Sequence, residues 1–187
     1  MNSWTTRLQI SFLVKNQLLV WTHPSSTTSC LYQFGKLQRC GSDGNPLIWL
    51  DHLGTGKVLV GPAATTFLPD ITEGLLNAAL RREIDYLCDE LDNPESEWRD
   101  VAMYRAYAAL TICRILYTRA NGSVASKPMA ARWALKKLPA RLHGLIQKAL
   151  DYNETGREIL LPLRGLQSLL HYIQKSDSLD GCRKQSR

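Results

Sequence analysis

The sequence predicts an α+β chain that is mainly α, with a small N-terminal β segment leading into a bundle of about five helices. Two patterns carry the prediction. From about residue 71 apolar residues recur at i, i+3 and i+4 in one segment after another, the spacing that aligns them on one helix face. Before residue 62 the chain instead shows short β-prone runs set among Ser, Thr, Gly and Pro. At 187 residues and 44% hydrophobic, it is long enough for a sizeable core.

In order along the chain, Leu8 to Val14 and Leu18 to Trp21 read as a hairpin across a polar Lys15-Asn16-Gln17 turn. Residues 22–46 read as irregular. A short helix is expected from Pro46 to Leu53, then a turn at Gly54-Thr55-Gly56-Lys57 into a strand, Val58-Leu59-Val60. The first long helix covers residues 71–91, with Leu76, Leu80, Ile84, Leu87 and Leu91 on one side and acids opposite. Asn93-Pro94 interrupts it, and a second helix is expected from Trp98 to Arg119. After Asn121-Gly122, Ser126 is a favoured N-cap. Pro128 fits a first helical turn, where its missing N–H has no intrahelical partner, so a helix opens at Lys127 and ends near Pro139. Leu142, Leu145, Ile146, Ala149 and Leu150 mark the next. The last is expected over residues 157–175, bent near Pro162, and the polar stretch 176–187 reads as a disordered tail.

The net charge of +6 is unevenly divided. Residues 1–98 hold seven Lys/Arg against eleven Asp/Glu, a net −4, and the remainder hold sixteen against six, a net +10. No apolar run reaches the ~20 residues of a membrane span. The five cysteines lack metal-site spacing and read as reduced thiols, and His23, His52, His143 and His171 share no ligand spacing. Gly54-Thr55-Gly56-Lys57 lacks the four-residue gap and the following Ser or Thr of a phosphate-binding loop, so it reads as a turn.

Arg114 and Lys127 stand out as a pair. A cation at a helix end, like Arg114, is favoured by the helix dipole, whereas Lys127 in a first turn opposes it. An anion at that corner would relieve the conflict, because free backbone N–H groups there suit phosphate.

Arg114-Ile-Leu-Tyr, Gly122, Ser126-Lys127, Ala130-Ala131-x-Trp133-Ala134-Leu135 and Leu138-Pro139 resemble the C-terminal helical domain of aminoglycoside (3'')(9) adenylyltransferases, the streptomycin and spectinomycin resistance enzymes. Leu59-Val60-Gly61-Pro62 resembles the join between that family's two domains. Leu8-Gln9-Ile10-Ser11-Phe12-Leu13 resembles a late strand of its nucleotidyltransferase domain. The resemblance implies three regions: residues 1–62 as the remnant of a nucleotidyltransferase domain, 63–175 as a helical domain binding substrate and nucleotide, and 176–187 as a tail. It implies AMP transfer from ATP to an antibiotic hydroxyl with Mg²⁺. Arg114, Lys127 and Tyr152 would bind nucleotide, and Trp98, Asp100, Tyr104 and Tyr107 would bind the antibiotic.

The family's metal ligands are an Asp-x-Asp pair after a Gly-Ser turn. Here Gly41-Ser42 and Gly122-Ser123 are followed by no such pair, and the position of the catalytic carboxylate is Gln9, whose amide cannot accept a proton. The expectation is therefore a chain that starts after the catalytic machinery and is inactive alone, a monomer in the cytoplasm whose partners are small molecules, not membranes or nucleic acid. The alternative is a non-catalytic helical module that binds nucleotide, antibiotic or nucleic acid.

Overall fold

A computed structural model describes residues 10–14, 16, 29–33, 36–40 and 46–184. It divides into two compact units, residues 1–79 and 80–187.

In the first unit, β1 (Ile10–Leu13), β2 (Ser29–Gln33) and β3 (Lys36–Cys40) form an antiparallel sheet in the order β1-β2-β3. Phe12 faces Cys30 across one pair and Cys30 faces Arg39 across the other. This corrects one expectation. β1 pairs with residues 29–33, inside the stretch read as irregular, and residues 18–21, its expected partner, lie outside the described residues. Alternation is a poor guide here because Ser29-Cys-Leu-Tyr-Gln33 is short and half polar.

Helix α1 (Pro46–Thr55) follows, with Trp49 almost fully buried among Leu13, Phe67, Leu68, Ile71 and Leu75. The α1 end explains Gly54-x-Gly56. The Gly56 N–H donates to the His52 carbonyl at 3.0 Å, and a Cβ on Gly56 would stand 2.4 Å from that oxygen. The glycine is there for a close backbone approach, as a turn requires. Val58-Leu59-Val60 forms no strand. Leu59 and Val60 are over 90% exposed, and with no neighbouring strand among the described residues an apolar run has no ladder to join.

Thr72 caps helix α2 (Glu73–Asp92) by accepting the Leu75 N–H at 3.3 Å. Within the second unit the buried face of α2 is Leu80, Ile84, Leu87 and Leu91, as its spacing predicts. A 3₁₀ turn (Glu97–Arg99) then precedes α3 (Ala102–Asn121). The expected helix from Trp98 therefore starts four residues late. Ser96 captures the Trp98 N–H at 3.2 Å and turns the chain before the helix begins. Asp100 and Arg114 consequently do not share a helix.

Helix α3 is buried on nearly every side. Ala106, Ala108, Ala109, Leu110, Ile112, Cys113 and Ile115 are at most 2% exposed. It packs against α4 (Lys127–Lys137), α5 (His143–Thr155) and α6 (Leu163–Lys184). Small residues make this possible: Ala106, Ala108 and Ala109 on α3, and Ala130, Ala131 and Ala134 on α4, let helix backbones approach closely. Arg105 donates to the Leu161 carbonyl and so ties the segment before α6 to α3. Gln167 donates to Asp92 and Gln174 to the Cys88 sulfur, joining α6 to α2. Helix α6 starts at Leu163, after Pro162, and continues to Lys184 through the stretch read as a tail from Ser176. No helix among the described residues is long and apolar enough to cross a membrane.

If α3 is the packing centre, Ile112→Ala should lower unfolding stability by about 2–5 kcal/mol, the usual range for a cavity at such a site. Urea denaturation followed by circular dichroism checks this, with native helical content unchanged before the transition.

Candidate functional site

The site lies in the second unit, where α2, the 3₁₀ turn, α3 and the start of α4 meet. On α3, Tyr104, Tyr107, Thr111 and Arg114 are spaced three, four and three residues apart, which stacks them along one face. On α2, Glu83, Tyr86, Leu87 and Glu90 do the same. Between them opens a cleft of about 200 Å³ lined by Glu83, Tyr86, Leu87, Trp98, Tyr104, Tyr107 and Thr111.

Trp98 is the centre of an aromatic cluster. Tyr104 stacks on it, with centroids 5.4 Å apart and planes 11° from parallel. Tyr86 and Tyr107 meet it edge-on, each with centroids 5.6 Å away. These are the favoured offset and T-shaped geometries. Polar contacts brace the cluster. The Ser96 hydroxyl accepts the Trp98 N–H and donates to the Glu90 carboxylate, which also accepts from Tyr86. Burial, with the adjacent Glu90 charge and this hydrogen bond, holds the Tyr86 phenol above its ordinary value. Thr111, 2% exposed, has a hydroxyl without a hydrogen-bond partner in the structure.

Lys127 meets this cluster from the other side. It is the first residue of α4, fixed there by the Ser126 hydroxyl accepting the Met129 N–H. Its Nζ sits 3.2 Å from the centroid of the Tyr107 ring, a cation–π contact. Burial, and next the positive charge of Arg114, push the Lys127 pKa down to about 8, with Glu83 opposing. The Arg114 charge thus reaches Lys127.

The other expected residues are less closely gathered. Trp98, Tyr104 and Tyr107 line the cleft. Asp100 does not: it is exposed, at the end of the 3₁₀ turn, with its backbone N–H bonded to the Glu97 carbonyl. Tyr152 is half-buried near the end of α5, on a different helix from Arg114 and Lys127. Gln9 lies outside the described residues. Sequence reasoning missed Glu83, Tyr86 and Thr111. The signal for the first two was present: Glu83 and Tyr86 fall one turn apart, with Glu90 one turn further, in a helix whose acids read as a solvated face.

A model of the aminoglycoside adenylyltransferase C-terminal domain matches residues 66–175, more than half of the chain. The chain belongs to this family. Among curated aminoglycoside (3'')(9) adenylyltransferases, that of Rhizobium radiobacter is 29% identical over 153 residues, covering 76% of this chain and 53% of the relative. Those of Klebsiella pneumoniae and Shigella flexneri are each 28% identical over 180 residues, 89% of this chain and 64% of theirs. The chain therefore spans about half to two thirds of the length of these adenylyltransferases. In fold it is similar to a spectinomycin adenyltransferase, AAD(9), from Enterococcus faecialis, crystallised with ATP and spectinomycin. The TM-score is 0.65 at 17% identity, over 89% of this chain and 66% of that one. The helices that carry the adenylyltransferase match are those that build the cleft.

Among the described residues no group of three or more His, Cys, Asp or Glu side chains could hold a metal ion. Cys30, Cys88 and Cys113 are free thiols. Burial pushes the Cys113 thiol up to about 12, which keeps it protonated and inert.

The lowered Lys127 pKa has a consequence for stability. The folded state releases this proton near pH 8 and the unfolded state near 10.5, so between those values the unfolded chain binds more protons. The contribution of Lys127 to stability should therefore rise with pH across that window. Lys127→Met should flatten the rise, measured as the difference between the two proteins' urea midpoints at each pH.

Proposed function

We propose that this chain is the binding half of an aminoglycoside adenylyltransferase. Its helical domain, residues 63–175, would take ATP and a polycationic antibiotic such as streptomycin or spectinomycin. The observation that carries the reading is the seat of Lys127: a half-buried ammonium at a helix N-terminus, beside Arg114 and against Tyr107. Two cations held together are costly without an anion, and a polyphosphate supplies one through charge-assisted hydrogen bonds. Tyr152 is the third nucleotide contact of this reading.

The opposite wall suits a cation. Residues 70–100 hold ten Asp/Glu against three arginines, a field that attracts a polycation. Trp98, Tyr104 and Tyr107 offer ring faces, and Asp100 is an outer acidic contact. The role of these residues is to hold nucleotide and antibiotic with their reacting atoms adjacent, a gain in proximity and orientation.

Catalysis needs more. The family reaction uses Mg²⁺, which requires hard oxygen ligands, and the described residues do not fit such a site. Residues 1–187 contain no Asp-x-Asp pair, and Gln9 cannot serve as a base. Residues 1–62, read as part of a nucleotidyltransferase domain, do not complete the machinery, so these residues alone bind without transferring AMP. The free thiols suit a cytoplasmic protein acting as a monomer on small molecules.

Two measurements test the reading. ATP binding, followed by calorimetry, should weaken as pH rises through about 8, because Lys127 then loses the charge that faces the phosphates. It should also weaken with salt, and Lys127→Ala should reduce it about tenfold with helical content unchanged, a loss of ~1.4 kcal/mol. Unaltered affinity in the mutant overturns the nucleotide site. Separately, the chain incubated with ATP, Mg²⁺ and streptomycin or spectinomycin should release no diphosphate. Release that depends on both chain and antibiotic overturns the assignment of a binding half.

A further inference from the structure

The aromatic cleft has a chemistry narrower than attraction to positive charge. Its rings are not merely packed together. The Tyr107 face already carries a cation, the chain's own Lys127, at 3.2 Å. Tyr86 and Tyr107 remain 48% and 43% exposed despite touching Trp98, so a substantial part of each stays open to solvent. Glu83, one turn before Tyr86, is half-buried in the lining of the cleft, and its charge acts on both Tyr86 and Lys127. One carboxylate beside several ring faces is a seat for a cation, and the rings decide which cation.

A primary ammonium is compact and strongly hydrated, so it gives up much on leaving water for ring faces that accept no conventional hydrogen bond. An N-methylated ammonium spreads its charge over apolar methyl groups, which pack on aromatic faces while the charge meets the ring quadrupole. Glu83 neutralises either one equally. The selection therefore comes from Tyr86, Trp98 and Tyr107, while the carboxylate adds affinity.

We propose that the cleft formed by Glu83, Tyr86, Trp98 and Tyr107 is a recognition site for N-methylated ammonium groups, and that its three rings select substrates bearing them over substrates with only primary amines, while Glu83 adds affinity for either. This deepens the reading of the cleft as the antibiotic-binding wall and rests on it for the identity of the natural ligand. The preference itself is a property of the four side chains.

The test uses the full chain and simple salts, without nucleotide or antibiotic. Tetramethylammonium, methylammonium and ammonium chlorides are titrated at matched ionic strength, followed by tryptophan fluorescence, with Trp98→Phe identifying the part of the signal that reports the cleft. Affinity should fall in that order, by about fivefold or more between the ends of the series, the scale of one cation–π contact at a partly exposed site. Tyr86→Ala should remove most of the discrimination, and Tyr86→Phe should keep it, because the ring is retained while the hydrogen bond to Glu90 is lost. Glu83→Gln should weaken all three cations by a similar factor. Circular dichroism identifies any variant that loses its fold, and the Tyr86→Phe and Glu83→Gln pair then decides the matter. Equal affinity for the three salts, or tighter binding of ammonium, overturns the proposal, as does a Tyr86→Ala variant that folds and discriminates like the parent. If the ordered series appears but ATP fails to bind at Lys127, the nucleotide site falls and the methylammonium preference stands. If ATP binds as expected and the series is flat, the preference alone falls.

Discussion

Burial of α3 from nearly all sides is the constraint on which the rest of the second unit depends. A helix in that position must be small where its neighbours are close and apolar almost everywhere, and Ala106, Ala108 and Ala109 meet the first demand. Of its polar or large side chains, Tyr104, Tyr107, Thr111 and Arg114 fall on one face, while Arg105 reaches the Leu161 carbonyl and Tyr117 meets Trp133 of α4 edge-on. Tyr104, Tyr107 and Thr111 line the opening towards α2, and Tyr107 also meets Lys127 in the first turn of α4. The cleft is in this sense the side of the core that the packing leaves unfilled. Its geometry is held by the least adaptable part of the unit, which suits a site whose work is positioning.

The helical part of the fold was legible in the sequence because period and punctuation agree there. Ser126 and Pro128 at the start of α4, Gly122 at the end of α3, and the Leu145–Ile146–Ala149–Leu150 stripe of α5 each point to one outcome and find it. The β segment was legible only as a class. A strand of four or five residues carries two or three informative positions, too few to choose between partners, and β1 pairs with a stretch whose composition suggests a loop. The start of α3 was misplaced for another reason: a serine side chain took the Trp98 N–H, a local competition that periodicity does not register. The consequence is that Asp100 lies outside the helix that carries Arg114.

The candidate site divides along the same line. Arg114 and Lys127 could be paired from sequence because each end of a helix has a preferred sign of charge, and Lys127 violates it. The aromatic cluster could not be assembled, since Tyr86 and Trp98 come from separate elements whose approach depends on the Ser96–Glu90–Tyr86 contacts. Glu83 was hidden among acids that look alike in sequence and differ only in burial. Asp100 is exposed, whereas Glu83 is a half-buried carboxylate among the rings of the cleft.

The connection from α3 to α4 is only a few residues long. Gly122 closes α3 in the left-handed region at φ 65°, a conformation that a side chain strains. Ser126 then opens α4, so Arg114 lies before this turn and Lys127 after it. The spacing of the two charges is therefore set by the number of residues in a surface loop, which ordinarily is the most permissive feature of a protein. Here an inserted or deleted residue would change the distance between two cations, one of which already shifts the titration of the other.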